Sequence, residues 1–368
     1  MFAKNQQLKK QRLRRTISFR WLLILFIIIA GGCQISLFIN YHVTSNNDTG
    51  QHNSIHHGIS GTTINNLFQI PSSPPRGGVH KKTDAIVYLA QFGNHSSYGA
   101  QTDTNHRAIT GLSKLNKSLE LLYTNYVSQF PTDVIIFYDQ HNAPDVNTME
   151  ELKQGRSNLQ FRSLDKQWWS LPYKLQTWQH RMWARPQFSI GYRLMMRWFA
   201  VLIWKYLDIE GYTHCMRLDD DSYILSKIEY NLFDYMRINK KRYGFRQPVY
   251  EPGGNEFDAV VDKYLIDYPN SSSRELVDLY NQDRGVGFYN NFHIGEVAFF
   301  LSPPASTLLR IIDESKLIFT QRLGDLVIQS TVVRLFLEPN EVHWFRDFTY
   351  EHMTVCRKDK CGFKIPKG

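Results

Sequence analysis

The feature that most restricts the fold of this sequence is a pair of buried-strand patterns separated by a helical pattern. Residues 84–90 and 133–138 are almost wholly apolar and rich in β-branched and aromatic side chains, as buried strands are. Between them, residues 106–130 place leucines and tyrosines mostly at spacings of three and four, which predicts a helix. Strand, helix and strand in this order predict a βαβ unit, and therefore an α/β fold with a parallel sheet.

A further buried strand is predicted to end on a cluster of carboxylates. A helical pattern over residues 191–207 leads into the run 212–218, which stops at Asp219, Asp220 and Asp221. Ligands of open α/β sheets bind at the carboxyl ends of the strands. Mg²⁺ and Mn²⁺ usually take one or two carboxylates together with substrate phosphates. The triplet alone is compatible with a metal–diphosphate site and equally with a solvated acidic turn.

The N-terminal part of the chain has the composition of a membrane anchor and a stem. Residues 1–20 carry seven basic side chains and no acid, and residues 21–39 are almost wholly apolar. Nineteen such residues nearly span a bilayer as a helix, and the basic flank should stay cytosolic. We expect an uncleaved signal anchor, with a cleaved signal peptide as the alternative. The polar residues 40–82 predict a flexible luminal stem, and residues 83–368 a folded domain.

The charge of the chain gives no indication of nucleic-acid binding. The basic tail supplies seven of the nine net positive charges, so the remainder is nearly neutral. The sequence has no basic stripe interleaved with aromatic residues, and we therefore expect no nucleic acid among its partners.

The four cysteines predict no structural zinc site, because no Cys/His spacing typical of one occurs. Cys33 lies in the predicted membrane span. Cys215 lies in the apolar strand and is expected to be a buried free thiol. Cys356 and Cys361 are close enough in sequence to close a short loop in an oxidising lumen.

An aromatic-rich segment, residues 161–183, has two interpretations. It contains Trp168, Trp169, Tyr173, Trp178 and Trp183. Aromatic side chains at this density stack on sugar faces or on a base, or they pack an ordinary core, and the sequence alone leaves both open.

Six short motifs follow one another along the folded part. They are Ile190-Gly191-Tyr192-Arg193 with Met196-Arg197; Arg217-Leu218-Asp219-Asp220-Asp221; Tyr243-Gly244-Phe245; Asn291-Phe292-His293-Ile294 with Phe299-Phe300-Leu301-Ser302-Pro303; Gly324-Asp325; and residues 343–352. Their order and spacing resemble the fungal-type α-1,2-mannosyltransferases, glycosyltransferase family 15, over about residues 133–356. The resemblance implies a GT-A-like nucleotide-diphospho-sugar fold with a mixed, mainly parallel sheet, in a single-pass type II Golgi membrane protein.

The resemblance also implies a donor site. By position, Asp219 and His352 would bind Mn²⁺, which would bridge the diphosphate of GDP-mannose and neutralise charge on the departing GDP. Asp221, Arg217 and Tyr243 would bind the donor or support the metal site.

Four further residues are implied to act in catalysis. Tyr192 and Asp325 match active-site positions of the family, His293 stands where the family has a candidate nucleophilic glutamate, and Glu296 lies close enough in sequence to replace it. Taken singly, these residues have ordinary interpretations. Tyr192 would belong to the core, His293 would be structural, and Asp325 would cap the helix that starts at Leu326. His352 taken singly would be a surface or hydrogen-bonded histidine.

Three positions depart from the family pattern: His293 replaces glutamate, Gln329 replaces histidine, and Asp220 replaces proline. Imidazole does not readily form a glycosyl–enzyme intermediate, so His293 argues against double displacement. All three departures are compatible with front-face transfer, in which the departing phosphate takes the proton of the acceptor.

The resemblance therefore implies a metal-dependent, retaining transferase that moves mannose from GDP-mannose to a mannose-containing glycan on protein or lipid. Two alternatives stay open at this point. One is a transferase with another nucleotide-sugar donor, and the other is a non-catalytic relative that binds glycans.

Overall fold

The computed structural model describes residues 83–92 and 111–352. The predicted tail, membrane span and stem, and the pair Cys356 and Cys361, lie outside these residues. Within the two described ranges, no helix is long and apolar enough to cross a membrane.

A seven-stranded sheet forms the centre of the domain. Its strands are β1 (Asp84–Leu89), β2 (Asp133–Asp139), β3 (Leu159–Leu164), β4 (His214–Leu218), β6 (Tyr243–Phe245), β9 (Phe292–Glu296) and β10 (Val342–Trp344). The strand order is β10-β6-β9-β4-β1-β2-β3. All neighbours are parallel except β9, which is antiparallel to both β4 and β6. The predicted α/β fold with a mixed, mainly parallel sheet is therefore confirmed.

Two short antiparallel pairs flank the sheet. Strand β5 (Ser222–Ile224) pairs with β11 (Tyr350–His352), and β7 (Pro248–Tyr250) pairs with β8 (Val286–Phe288). The first pair returns the end of the described chain to the aspartate triplet, because His352 lies opposite Ser222.

Helices cover the sheet on both sides. In chain order they are α1 (Gly111–Leu122), α2 (Val146–Lys153), α3 (Ile190–Arg197), α4 (Ile203–Glu210), α5 (Leu232–Ile238), α6 (Asn255–Asp267), α7 (Arg274–Gln282), α8 (Val297–Phe300), α9 (Pro303–Ser315), α10 (Leu317–Thr320) and α11 (Asp325–Phe336). The helix predicted over residues 191–207 is present as α3 and α4, joined by a wider turn at Trp198–Leu202. It ends at Gly211, whose φ of 86° is the left-handed conformation that glycine adopts without strain.

The sheet separates two apolar clusters. Along β1, Ala85 and Val87 pack into one cluster, whereas Ile86 and Tyr88 pack into the other. Side chains alternate between the faces of a strand, so a strand covered on both faces reads as one continuous apolar run. Cys215 of β4 is a buried free thiol, as predicted, and burial raises its pKa.

The aromatic segment divides between core and surface. Trp168 packs edge-on against Tyr206, with ring centroids 5.4 Å apart, and Trp183 is buried. Tyr173 and Trp178, in contrast, are 75% and 67% exposed. Core packing therefore explains part of the segment, and two exposed rings remain.

Candidate functional site

Polar side chains from four elements meet at one edge of the sheet, beyond the carboxyl end of β4. Asp219 and Asp221 directly follow β4. Asn291 precedes β9, which is antiparallel to β4 and so begins at the same edge. Asp325 begins α11, and His352 ends β11. The structure thus brings together residues that are up to 133 positions apart in the sequence.

A buried arginine anchors two of these carboxylates. Arg217 Nε donates to Asp219 Oδ1 at 3.0 Å, and its terminal nitrogen donates to Asp325 Oδ2. The guanidinium also lies over the ring of Phe199, 3.7 Å from its centroid. Charge-assisted hydrogen bonds of this kind are short and directional. Because the Arg217 side chain is 3% exposed, it positions the carboxylates from below and does not reach a bound donor.

An imidazole and a carboxylate face each other at the open side of the site. His352 Nε2 lies 3.7 Å from Asp219 Oδ2 and 2.7 Å from Asp221 Oδ1. The Asn291 amide donates to Asp219 Oδ2 and lies 3.1 Å from His352 Nε2. On the other side of the ring, the Tyr289 hydroxyl is 2.8 Å from His352 Nδ1. Both ring nitrogens of His352 are therefore held in place by neighbouring side chains.

The charges at this edge favour a protonated His352 when no cation is bound. Burial lowers the pKa of His352, but its hydrogen bond to Asp221 and the charges of the three aspartates outweigh burial and raise the net pKa. Burial raises the pKa of Asp221, yet the hydrogen bond from His352 and the charge of Lys114 lower it overall. Burial and repulsion by its neighbours raise the pKa of Asp220 to about 7.

The donor set fits a divalent cation that is completed by its substrate. Two ligands that each lie about 2.1 Å from one cation are about 3.0 to 4.2 Å apart, depending on the angle between them. The 3.7 Å between Asp219 Oδ2 and His352 Nε2 falls within this range. No group of three or more His, Cys, Asp or Glu side chains in the described ranges is arranged to hold a metal ion alone. A cation held by Asp219 and His352 would take its remaining ligands from substrate or water.

Tyr192 lies at one side of the site, next to a second charged group. Arg322 donates to the Tyr192 hydroxyl at 2.6 Å and lies 3.4 Å from Glu251 Oε1. The Arg322 guanidinium also lies 4.5 Å from the ring centroid of Phe188. Burial raises the pKa of Tyr192, and the nearby charge of Asp325 adds to this while Arg322 opposes it. Tyr192 is therefore a neutral hydroxyl that Arg322 holds and on which the charge of the catalytic candidate Asp325 acts.

Asp325 does not cap its helix, contrary to the ordinary interpretation of the sequence. Gly324 occupies the N-cap position, and Asp325 is the first residue of α11. Its carboxylate accepts hydrogen bonds from Arg217 and from Asn290, the latter at 2.9 Å. Gln329, one turn further along α11, lies 3.2 Å from the same Asn290 amide. Gln329, which stands where the family has histidine, thus supports the site from within the core by contacting Asn290.

His293 lies beneath the site and is enclosed by the core. It pairs with Arg217 across the sheet, is 1% exposed, and its Nδ1 lies 3.0 Å from the carbonyl of Asn290. Burial and the charge of Arg217 lower the pKa of His293 to about 3. A neutral, enclosed imidazole has no approach to a donor sugar, and the structure gives His293 a structural position.

Tyr243 also lies in the core and not at the donor site. It is fully buried and stacks on His293, with ring planes 17° apart. A side chain with no exposed surface cannot bind a nucleotide sugar, so its inclusion among the donor-binding residues is corrected.

Glu296 is the candidate that the structure separates most clearly from the others. It pairs with His214, at the opposite end of β4 from Asp219. Four strand residues correspond to about 13 Å. Its carboxylate accepts from Arg242 Nε at 2.5 Å. Glu296 therefore has no part in the site, because β9 runs away from it.

Sequence reasoning missed several residues that the structure places here. Tyr289 and Asn291 contact His352, Lys114 lies 3.8 Å from Asp221, and Arg322 holds Tyr192. A signal was present for the first two, because residues 289–291 form a polar run directly before a buried strand. Only the antiparallel direction of that strand places the run beside Asp219.

Solved structures share this fold. The Mn/GDP form of core-mannan synthase A from Aspergillus fumigatus superposes with a TM-score of 0.61 at 18% identity, over 76% of this chain and 77% of that one. Mannosyltransferase Ktr4p from Saccharomyces cerevisiae in complex with GDP gives 0.60 at 18% identity, over 78% and 77%. At these identities the likeness establishes the fold.

Curated relatives match much of the sequence. Probable mannosyltransferase KTR3 of Saccharomyces cerevisiae is 25% identical over 258 residues, which cover 66% of this chain and 63% of the relative. Glycolipid 2-alpha-mannosyltransferase 1 of Candida albicans is 25% identical over 269 residues, 68% of this chain and 62% of the relative. The chain thus spans less than two thirds of the length of these relatives. The sequence profile of the glycolipid 2-alpha-mannosyltransferase family matches residues 102–364, and the chain belongs to this family, as its motifs predicted.

Proposed function

We propose that the chain is a glycosyltransferase that moves mannose from GDP-mannose to a mannose-containing glycan on protein or lipid. The transfer is Mn²⁺-dependent, retains the anomeric configuration and forms an α-1,2 linkage. We further propose a single-pass type II protein of the Golgi membrane, anchored by residues 21–39, with the catalytic domain in the lumen. The composition of the N-terminal residues supports this placement.

One observation carries the proposal. Asp219 and His352 face each other at the ligand-binding edge of the sheet, 3.7 Å apart, with both held by side chains behind them. The relatives are named as mannosyltransferases, and two solved structures of this fold hold GDP, one of them with Mn. When bound, a divalent cation neutralises charge on the departing diphosphate.

The residues of this chain then divide the remaining tasks. Arg217 fixes Asp219 and Asp325 from below, and Tyr289 fixes the orientation of His352. A carboxylate or hydroxyl held by the fold loses little freedom when substrate binds, which is how positioning contributes to rate. Tyr192 and Asp325 are the residues proposed to contact the acceptor hydroxyl. No enzyme nucleophile is required in front-face transfer, which agrees with the buried position of His293.

The direct test is sugar transfer by the purified full-length chain. A panel of nucleotide sugars is supplied with Mn²⁺ and methyl α-mannoside, and Asp219→Asn is compared with the matched carboxylate variant Glu296→Gln. We expect transfer from GDP-mannose that is abolished in Asp219→Asn and retained in Glu296→Gln. Transfer from another nucleotide sugar alone would preserve the site and overturn the donor.

The buried His293 favours one competing function. A relative that has lost the family's glutamate and binds glycans without catalysis would also keep the fold. That function would be favoured if no nucleotide sugar of the panel supported transfer and if GDP and Mn²⁺ did not raise the unfolding temperature. A ligand that binds the native state stabilises it, so an unchanged unfolding temperature would indicate that GDP and Mn²⁺ do not bind.

A further inference from the structure

A second cleft lies beside the outermost strand β10, three strands from β4 and the candidate donor site. It has a volume of about 340 Å³. Its lining consists of aromatic rings and one pair of opposite charges: Tyr230, Tyr235, His343, Trp344, Arg346 and Asp347. This volume is at the lower end of the range typical of small-molecule sites, which combine aromatic walls with a few polar groups.

The aromatic wall is continuous. The rings of Tyr230 and Tyr235 are 5.5 Å apart, and those of Tyr235 and His343 are 4.6 Å apart. The fourth ring, Trp344, is covered by the Arg346 guanidinium, 3.7 Å from its centroid, and stacks on Phe245. The rings of Tyr230, Tyr235 and His343 offer apolar faces to the C–H groups of a ligand and polar edges to its hydroxyls.

The cleft presents exposed groups of both charges, which suits a ligand rich in hydroxyl groups. Arg346 and Asp347 are exposed and opposite in charge, and the Asp347 carboxylate accepts a hydrogen bond from the Tyr230 hydroxyl. Burial and the charge of Lys241 lower the pKa of His343, which is therefore neutral at pH 7. Carboxylate and guanidinium groups form strong hydrogen bonds with hydroxyls. A sugar unit satisfies both the aromatic wall and this pair.

The position of the cleft connects it to the proposed reaction. Strand β10 is parallel to β6, and β6 is antiparallel to β9, so the carboxyl end of β10 lies at the same edge as Asp219. Three strand spacings separate β10 from β4, which is about 14 Å.

The chain also connects the cleft directly to the site. The chain runs from Asp347 to His352 in five residues, and Arg246 holds this segment by donating to the Phe348 carbonyl at 2.9 Å. We propose that this cleft is a secondary subsite that binds a sugar unit of the acceptor glycan remote from the one that reacts. The inference rests on the proposed function for the identity of the glycan as acceptor, and on the cleft itself for the binding of sugar.

Substitutions of two exposed residues of the cleft, Asp347→Asn and Arg346→Ala, test the subsite. Trp178→Ala is the control, because Trp178 is an exposed aromatic residue outside the cleft. Transfer is measured with methyl α-mannoside and with a mannose oligosaccharide long enough to cross three strands. We expect KM for the oligosaccharide to rise about tenfold or more, as for loss of a hydrogen bond to a charged group, with kcat and the KM for methyl α-mannoside unchanged. Trp178→Ala should match the wild type.

The subsite proposal would be refuted if Asp347→Asn and Arg346→Ala changed the KM of both acceptors equally or changed neither. It would also be refuted if only Trp178→Ala changed the KM for the oligosaccharide. Calorimetry of the same oligosaccharide without donor or metal provides an independent reading. If no donor supports transfer, the proposed function fails. In that case, weaker oligosaccharide binding in Asp347→Asn would still support the cleft as a sugar-binding site. Oligosaccharide binding that is unchanged in Asp347→Asn would refute the sugar-binding site too.

Discussion

The buried His293 should make the free energy of unfolding of the domain depend on pH. Substitution of His293 by a residue that does not titrate should remove this contribution. Its pKa is about 3 in the folded chain, against about 6.5 for an ordinary histidine. Between these values the unfolded chain binds a proton at this residue and the folded chain does not. The free energy of unfolding therefore falls as the pH falls below about 6.5, and continues to fall to about 3.

The magnitude follows from the difference between the two pKa values. From pH 7.5 to 5.5, His293 should remove about 1.4 kcal/mol of stability, since one pKa unit corresponds to about 1.36 kcal/mol. For a domain of this size that equals about 3 to 6 °C in unfolding temperature. Other groups also titrate in this range, Asp220 among them, so the quantity to compare is a difference between variants.

The assay is urea unfolding of the wild type and of His293→Phe at a series of pH values. Phenylalanine keeps a ring stacked on Tyr243 and carries no titrating group. Between pH 7.5 and 5.5, we expect the difference between the two free energies of unfolding to shift by about 1.4 kcal/mol in favour of His293→Phe. His141→Gln, which changes an exposed histidine, serves as control and should follow the wild type. Parallel curves for the wild type and His293→Phe would refute the reasoning, because they would show that His293 takes up a proton in the folded chain.

Three other substitutions give distinct expectations. Tyr289→Phe removes the hydroxyl beside His352 Nδ1 and should weaken Mn²⁺ binding about 10- to 100-fold in calorimetry, while the free energy of unfolding changes little. Arg217→Leu leaves Asp325 buried without its cation and should cost about 3 to 5 kcal/mol in urea unfolding; an unchanged midpoint would contradict the buried ion pair. Glu296→Gln should leave transfer activity within a few-fold of wild type. A hundredfold loss of activity would show that Glu296 takes part in the reaction after all.

Several of the central strands and helices could be predicted from the sequence, because they depend on local patterns of apolar residues. The apolar runs at β1, β2 and β4 are buried on both faces, and the helix that ends at Gly211 carries its own stop signal. The aspartates at the end of β4 followed from the general position of ligand sites. Helix α6 was missed because its buried residues, Phe257, Val261 and Tyr264, form only a narrow stripe on a polar helix.

The site was predicted in part, and the errors have one physical origin. Asp219 and His352 were paired through the family motifs alone, since the pairing of β5 with β11 has no local signal. Glu296 was chosen for its closeness in sequence to His293, but each residue along an extended strand moves about 3.4 Å, and β9 runs away from the site. The environment of Tyr243 depends on the elements packed over β6, which its own sequence does not specify.

The most direct test of the central claim is the binding of GDP with and without Mn²⁺. Calorimetry would compare the wild type with Asp219→Asn and His352→Ala, and Glu296→Gln as the matched control. The proposed site predicts that Mn²⁺ strengthens GDP binding in the wild type and in Glu296→Gln, and that this gain is lost in the other two variants. GDP affinity that is independent of Mn²⁺, or a gain that survives both substitutions, would contradict the assignment of Asp219 and His352 as the metal ligands.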